Sequence, residues 1–227
     1  MTVVVRVYLV RHGETDDNRQ GIMQGQRNTP LNSLGAHQSR LVADALTDVP
    51  FGAAHTSDLA RARKTAEIVL EKHPGVTLET SQTLRERFLG DWQGRSGGER
   101  GEPGTNIESE TDFVTRAVNW WNDSISRIAQ RESTELQARA SSEDSFAPAH
   151  VLVVTHSALI DRLVDTLTKE KQVRVAEGVD YHFKKECPKG SISIVEIEED
   201  GRGVLVSYAD TTHLKDIDLV QKNADVQ

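Results

Sequence analysis

The chain has 227 residues, 37% of them hydrophobic and 27% charged, a balance that fits a folded globular protein and excludes an intrinsically disordered one. Lys and Arg number 27 against 35 Asp and Glu, giving a formal net charge of −8, which argues against nucleic acid or an anionic membrane as the main partner. A single cysteine, Cys187, rules out an intrachain disulfide, no apolar run approaches membrane-spanning length, and Arg6 interrupts the apolar start, so the chain is expected in the cytoplasm.

Val3 to Val10 is a β-branched apolar run with little alternation, the pattern of a strand covered on both faces. It stops at Arg11-His12-Gly13. The glycine permits a sharp turn and close approach of a ligand. A side chain at the carboxyl end of such a strand lies where open α/β sheets bind ligands. Arginine there can fork onto a phosphate or carboxylate. Histidine beside a cation is a poor general base but a good neutral nucleophile towards an anion.

Residues 16–32 are polar and turn-rich and read as a loop over the end of the sheet. Ser33 is expected to cap a helix running to about Thr47, with Leu34, Leu41, Val42, Ala45 and Leu46 on one face. Phe51 to Ser57 reads as a strand. Ser57-Asp58 then caps a helix with Leu59, Ala62, Ala66, Val69 and Leu70 inward, which Pro74-Gly75 ends. Val76 to Thr80 reads as another short strand.

Residues 94–107 are rich in Gly, Glu and Ser and are expected to form a surface flap. Ser109 and Asp112 form a capping-box start. Phe113, Ala117, Trp121, Ile125 and Ile128 follow at helical spacing, so Trp120 and Trp121 are expected in the core. Residues 131–149 read as a polar connector. Val151 to Thr155 reads as a central buried strand ending at His156, followed by a helix with Leu159, Ile160, Leu163, Val164 and Leu167 inward. Two strands, Ser191 to Ile197 and Val204 to Tyr208, close the pattern, and 215–227 reads as a frayed tail. Alternating strands and amphipathic helices predict one α/β domain over 1–227, a three-layer sandwich whose largely parallel central sheet has helices on both faces.

Leu9-Val10-Arg11-His12-Gly13-Glu14-Thr15, with Asn18 after it, resembles the opening motif of the histidine phosphatase superfamily, the phosphoglycerate-mutase-like proteins. Three further pieces resemble the family in the expected order: Ser57-Asp58-Leu59-Ala60-Arg61-Ala62 with Thr65-Ala66, Leu84-Arg85-Glu86 leading to Gly90-Asp91-Trp92-Gln93-Gly94, and Val153-Val154-Thr155-His156. Gln24-Gly25 and Pro30-Leu31 match the family's loop after the first histidine. The chain departs from the pattern at Asn28, where Asp is usual, at Ser157, where Gly is usual, and at Asp210, where Asn is usual.

The resemblance implies a metal-independent phosphomonoesterase, with no cofactor, acting on a small phosphorylated metabolite through a phosphohistidine on His12. It implies that Arg11, Arg61, Asn18 and His156 hold the phosphate, and that Glu86 gives a proton to the leaving alkoxide. Gln24, Gly25, Arg87 and Ser157 are expected to contact substrate. Partial burial and a bound dianion would favour the protonated form of Glu86, whereas Arg85 and Arg87 would oppose it if they pointed inward, so both are expected to point outward or towards distal parts of the substrate. Glu14 is expected to orient the His12 loop. Plainer readings stand beside these: His12 as a core histidine, His156 as a strand-end residue, Arg61 as a surface helix arginine, Glu86 as an ion-pair partner of Arg85 or Arg87, Asn18 as a turn-former.

Related mutases carry a longer basic insertion after the Glu-bearing segment, and here 94–107 holds only Arg95 and Arg100, which favours hydrolysis. A cofactor-dependent phosphoglycerate mutase, a protein-phosphotyrosine phosphatase and a non-catalytic phosphate-binding regulator of the same fold are the alternatives. The oligomeric state is not legible in the sequence.

Overall fold

A seven-stranded sheet forms the middle layer of the computed structural model, which describes residues 1–97, 106–138, 146–182 and 187–214. Its strands are β1 (Val3–Arg11), β2 (Phe51–Ser57), β3 (Leu78–Ser81), β4 (Ala149–Thr155), β5 (Val173–Val175), β6 (Ile192–Glu198) and β7 (Gly203–Asp210), in the spatial order β3-β2-β4-β1-β6-β7-β5. β1 pairs in parallel with β4, β4 with β2, β2 with β3, and β7 with β5, while β6 is antiparallel to both β1 and β7. Among the described strands only β6 runs against the others, so the sheet is largely parallel, as expected.

The helices are α1 (Asp16–Arg19), α2 (Ser33–Ala45), α3 (Ala60–Leu70), α4 (Glu110–Trp121), α5 (Arg127–Ala138) and α6 (Ser157–Lys169). On one face of β1, Val5, Val7 and Leu9 join a core with Phe113, Ala129 and Leu159 from α4, α5 and α6. On the other, Tyr8 and Val10 pack with Val42 of α2 and Ala62 and Val69 of α3. Both faces are therefore apolar, which is why β1 and β4 read as unbroken runs instead of alternating patterns. Trp120 and Trp121 are buried in the first core, as their spacing implies.

Several boundaries differ from the sequence reading. Asn32, not Ser33, caps α2: its side-chain oxygen accepts from Gly35 N at 2.8 Å. The first residue of α3 is Ala60, and its N–H donates to Asn28 Oδ1 at 2.7 Å, so the asparagine that departs from the family pattern serves as a cap supplied by a distant loop. The polar loop at 16–32 contains the single turn of α1, closed by a capping box between Thr15 and Asn18. The polar connector expected over 131–149 is helical through Ala138. Only Ala129 of α5 is fully buried, so this helix lacks the apolar stripe that would betray it. A π-helical turn, Asn122–Ser126, carries α4 into α5. β5 was not expected, being three residues long, too short for periodicity to register. Most of the flap, the rest of the connector and the tail, at 98–105, 139–145 and 215–227, lie outside the described residues.

One backbone contact sets the geometry at the carboxyl end of β1. Gly13 and Gly35 pack face to face, and a Cβ on Gly13 would run into the Gly35 carbonyl while one on Gly35 would run into the Glu14 backbone. This seats the N-terminal turn of α2 directly against the turn that carries His12.

Candidate active site

Strand register brings two histidines together. Arg11 faces Thr155 across the parallel β1–β4 pair, so the next residue of each strand emerges at the same end of the sheet. His12 N–H donates to Thr155 O at 3.0 Å, and the rings of His12 and His156 lie 5.2 Å apart at 64°. Both are buried, with 3% and 0% of their surface exposed.

The contacts of His12 define its tautomer. Nδ1 lies 2.6 Å from the Gly13 carbonyl, which can only accept, so Nδ1 carries the hydrogen. Arg61 Nε, which can only donate, lies 3.1 Å from Nε2, so Nε2 carries the lone pair. Burial holds the His12 pKa well below its ordinary value of 6.5, and the cations of Arg61, Arg11 and Lys189 push the same way, outweighing the hydrogen bond to Gly13. His12 is thus neutral, with a lone pair on Nε2 against a guanidinium.

Burial also holds His156 well below the usual histidine value, reinforced by Arg61, His12, Arg11 and Arg116. Neither of its ring nitrogens has a hydrogen-bond partner among the described residues. Two such atoms together cost several kcal/mol, an arrangement that persists where a ligand satisfies them.

The two arginines of the motif are each 1% exposed. Arg11 donates through Nη1 to the Cys187 carbonyl at 2.6 Å. Arg61 donates to His12 through Nε and at 2.7 Å to the carbonyls of both Arg27 and Gly25 through Nη1 and Nη2. Gly25, at φ 50°, is in the left-handed region that lets its carbonyl turn towards Arg61. Asn18 is also buried, and its Oδ1 accepts from the N–H of Thr15 at 3.2 Å. Gln24 is also buried, its Oε1 accepting from Thr15 Oγ1 at 2.9 Å and from Thr29 Oγ1.

Glu86 stands at the first turn of α6, beside His156. Its Oε2 accepts from Ala158 N at 3.1 Å and its Oε1 from Arg87 N at 2.8 Å. Arg116 and Gln26 donate to its carbonyl at 2.9 and 3.1 Å and fix its backbone. The flanking arginines turn away. Arg85 forms a bidentate pair with Asp58 at 2.7 and 2.6 Å, whose hydrogen bonds hold the Asp58 carboxyl below the usual range. Arg87 donates to the Glu108 carbonyl at 2.8 Å and to the Glu110 carboxylate at 3.0 Å. Arg87 was expected at the substrate, and the structure places its guanidinium on the start of α4.

Ser157 was also expected at the substrate. It is buried, and its hydroxyl donates to the Cys187 carbonyl at 3.3 Å and accepts from Cys187 N at 3.2 Å. Glu14 is buried, and the side chains of Arg19 and Asn32 reach its Oε1 at 2.8 and 2.9 Å.

Sequence reasoning missed four contributors. Lys189 is 2% exposed and close enough to depress the pKa of His12. Gly190 N donates to the carbonyls of Arg11 and His12 at 3.1 and 3.3 Å, pinning the 187–191 turn beneath the motif. Thr65 Oγ1 receives Gly13 N at 3.1 Å and donates to the Arg61 carbonyl at 2.9 Å. Arg116 supports Glu86. All four reach the site through tertiary folding; Thr65 stands in the second family-like motif, but no periodicity or motif announces Lys189, Gly190 or Arg116. No group of three or more His, Cys, Asp or Glu among the described residues could hold a metal ion. No helix among them is long and apolar enough to cross a membrane.

Comparison with known proteins gives an enzyme of the phosphoric monoester hydrolase type. The chain belongs to the histidine phosphatase superfamily, branch 1, whose family model matches residues 7–211. It is 27% identical over 222 residues to a probable phosphatase of Schizosaccharomyces pombe, covering 93% of this chain and 96% of the relative. It is 28% identical over 198 residues to the adenosylcobalamin/α-ribazole phosphatase of Salmonella typhimurium, covering 86% and 92%. It is 41% identical over 176 residues to a probable phosphoglycerate mutase of Photorhabdus laumondii, covering 72% and 75%. Among solved structures, YhfR of Bacillus stearothermophilus shares the fold with a TM-score of 0.69 at 23% identity, over 93% of this chain and 100% of that one.

Proposed function

We propose that the protein hydrolyses a small phosphate monoester through a phosphohistidine on His12, without a metal. The observation that carries this reading is the fixed tautomer of His12, whose Nε2 lone pair lies 3.1 Å from Arg61 Nε in a buried site shared with His156. In the first step Nε2 forms a bond to phosphorus as the ester P–O bond breaks, and Glu86 gives its proton to the departing alkoxide. In the second, water attacks phosphorus, its proton goes to Glu86, and the N–P bond breaks to release phosphate.

A phosphoryl group in transfer spreads its charge over three oxygens, so catalysis is mostly positioning and positive charge. In this reading Arg11, Arg61, Asn18 and His156 bind those oxygens. His156 takes up a proton as the dianion arrives, because the anion reverses the electrostatic balance that keeps it neutral. Glu86 enters the site at the first turn of α6, where its oxygens accept from the N–H groups of Ala158 and Arg87, while the guanidiniums of Arg85 and Arg87 are turned onto other carboxylates. The reading places the enzyme in the cytoplasm.

His12→Ala should abolish hydrolysis of p-nitrophenyl phosphate with the fold intact, and acid quenching of the wild-type enzyme during turnover of a labelled donor should trap label on His12. Retained turnover in His12→Ala would overturn the mechanism. The identity to a probable phosphoglycerate mutase supports a second reading, which an assay of mutase activity with and without bisphosphoglycerate separates from the first.

A further inference from the structure

Glu86 lies in a stretch, Arg85 to Leu89, outside helix and strand, so its backbone is held by contacts other than a sheet or helix ladder. One guanidinium reaches three carbonyls around it. Arg116, from the middle of α4, donates through Nη1 to the carbonyls of Thr83 and Arg85 at 2.8 and 2.7 Å. Through Nη2 it donates at 2.9 Å to the Glu86 carbonyl, which also accepts from Gln26. Its Nε and Nη2 hold the Glu108 carboxylate at 2.6 and 3.0 Å. These five contacts use every N–H hydrogen that a guanidinium has. Glu108 extends the grip: its Oε2 accepts from Phe88 N, its N–H donates to the Phe88 carbonyl, both at 2.9 Å, and its own carbonyl receives Arg87 Nε. The Leu84 carbonyl accepts from Thr155 Oγ1 at 2.7 Å, one residue before His156. Residues 83–88 are thus clamped between α4 and the carboxyl end of β4.

From this clamp we infer that Arg116, backed by Glu108, is a positioning residue for proton transfer: it sets where the Glu86 carboxyl stands relative to the departing alkoxide. The inference deepens the proposed hydrolysis and rests on the role given there to Glu86. A general acid works only within hydrogen-bond reach of the leaving oxygen, so a small shift of the backbone that carries it uncouples the proton from bond breaking. The Glu86 oxygens accept from Ala158 N and Arg87 N, and both contacts depend on where that backbone lies. Lysine keeps the charge of Arg116, but three hydrogens on one nitrogen cannot span three carbonyls and a carboxylate. The leaving group separates positioning from mere support. A basic phenolate needs a proton in order to depart, whereas dinitrophenolate departs without one.

Phenyl phosphate and 2,4-dinitrophenyl phosphate therefore make the test, with thermal melts to establish folding. Arg116→Lys should lose about 10²-fold or more in kcat on phenyl phosphate and less than about tenfold on the dinitrophenyl ester. Glu86→Gln should show the same preference. Adding Arg116→Lys to Glu86→Gln should cost no more on phenyl phosphate than on the dinitrophenyl ester, because the acid it positions is gone. Any change at His156, whose pKa Arg116 also lowers, bears on the phosphoryl group that both esters share. Should Arg116→Lys fail to fold, Glu108→Gln carries the comparison: the amide keeps the shape, weakens the hold on the guanidinium, and should give a smaller loss with the same preference. Equal losses on the two esters in a folded variant, or no loss on either, would overturn the inference. Wild-type protein that hydrolyses neither ester would overturn the hydrolytic reading, and Glu86→Gln without a preference would overturn the role of Glu86. Either result appears before any Arg116 variant is made, and the inference falls with it.

Discussion

Acidification should destabilise this protein well above the pH at which carboxylates titrate, and His156→Asn should remove a defined part of the loss. His12 and His156 are buried and neutral, each held well below its ordinary pKa first by burial and then by Arg61. Between that depressed value and about 6.5 the unfolded chain binds protons that the folded chain refuses, so stability is full above 6.5 and is lost as the pH falls through it. Each proton that the unfolded chain binds and the folded chain refuses costs at most about 1.4 kcal/mol for every pH unit below 6.5, so both histidines lower the stability as the pH falls from 7.5 to 5.5. His55, His73, His150 and His213 are also lowered, chiefly by burial, and act in the same direction. Urea unfolding followed by tryptophan fluorescence at the two pH values measures the loss. In His156→Asn the pH-dependent part should shrink, by at most about 1.4 kcal/mol for each pH unit below 6.5, whatever the variant's absolute stability. Saturating phosphate should also shrink it in the wild-type protein, because the bound anion lets His156 take a proton. A pH dependence identical in wild type and His156→Asn would refute the reasoning.

Arg61→Lys keeps the charge but loses the fork that spans His12 and two carbonyls, so kcat should fall by about 10² or more with the fold retained, as steady-state kinetics and circular dichroism would show. Ser157→Ala removes the hydroxyl that ties down Cys187, whose carbonyl orients Arg11. It should weaken phosphate binding severalfold and cost about 1–2 kcal/mol of stability, and Ser157→Thr should restore part of the binding, as read by calorimetry. Gly35→Ala drives a methyl group into the Glu14 backbone and should destabilise the protein by about 2 kcal/mol or more, measurable as a lowered Tm with parallel loss of turnover.

The sequence exposes the parts of this molecule that depend on local pattern. β1 and β4 are continuous apolar runs because both sheet faces are covered, and each ends in a histidine, so the meeting of His12 and His156 at one end of the sheet follows from two runs and a parallel register. The directions of long polar side chains do not follow in this way. Arg85 and Arg87 flank Glu86 in sequence, yet their guanidiniums are claimed by Asp58 and Glu110, 27 and 23 residues away. Ser157 occupies a position that faces substrate in the family reading, and its hydroxyl is taken by a backbone segment 30 residues distant. Lys189 sits in a turn without periodicity, and only the hydrogen bonds from Gly190 to the Arg11 and His12 carbonyls reveal why that turn lies under the motif. α5 escaped because a helix with one fully buried residue has almost no apolar signature.

An acidic protein must keep positive charge at one point without collecting it from the whole surface, and Arg61 shows how this chain does so. A carboxylate would orient a guanidinium and neutralise it at once. The carbonyls of Arg27 and Gly25 orient Arg61 as firmly through Nη1 and Nη2, while its Nε faces His12. The same charge lowers the pKa of His12, so the group that would bind phosphate also keeps its neighbour in the form able to attack it. Arg85 and Arg87, on either side of Glu86, are set against Asp58 and Glu110 and lose this capacity. Long-range attraction for any anion is correspondingly weak in a chain of net charge −8, and recognition falls to the buried floor, where low dielectric makes each contact to a phosphate oxygen strong. Asp58→Asn, which frees Arg85 beside Glu86, should therefore raise the ionic-strength dependence of kcat/KM, because it creates a cation that salt can screen. An ionic-strength dependence identical in the wild-type protein and Asp58→Asn would refute this account.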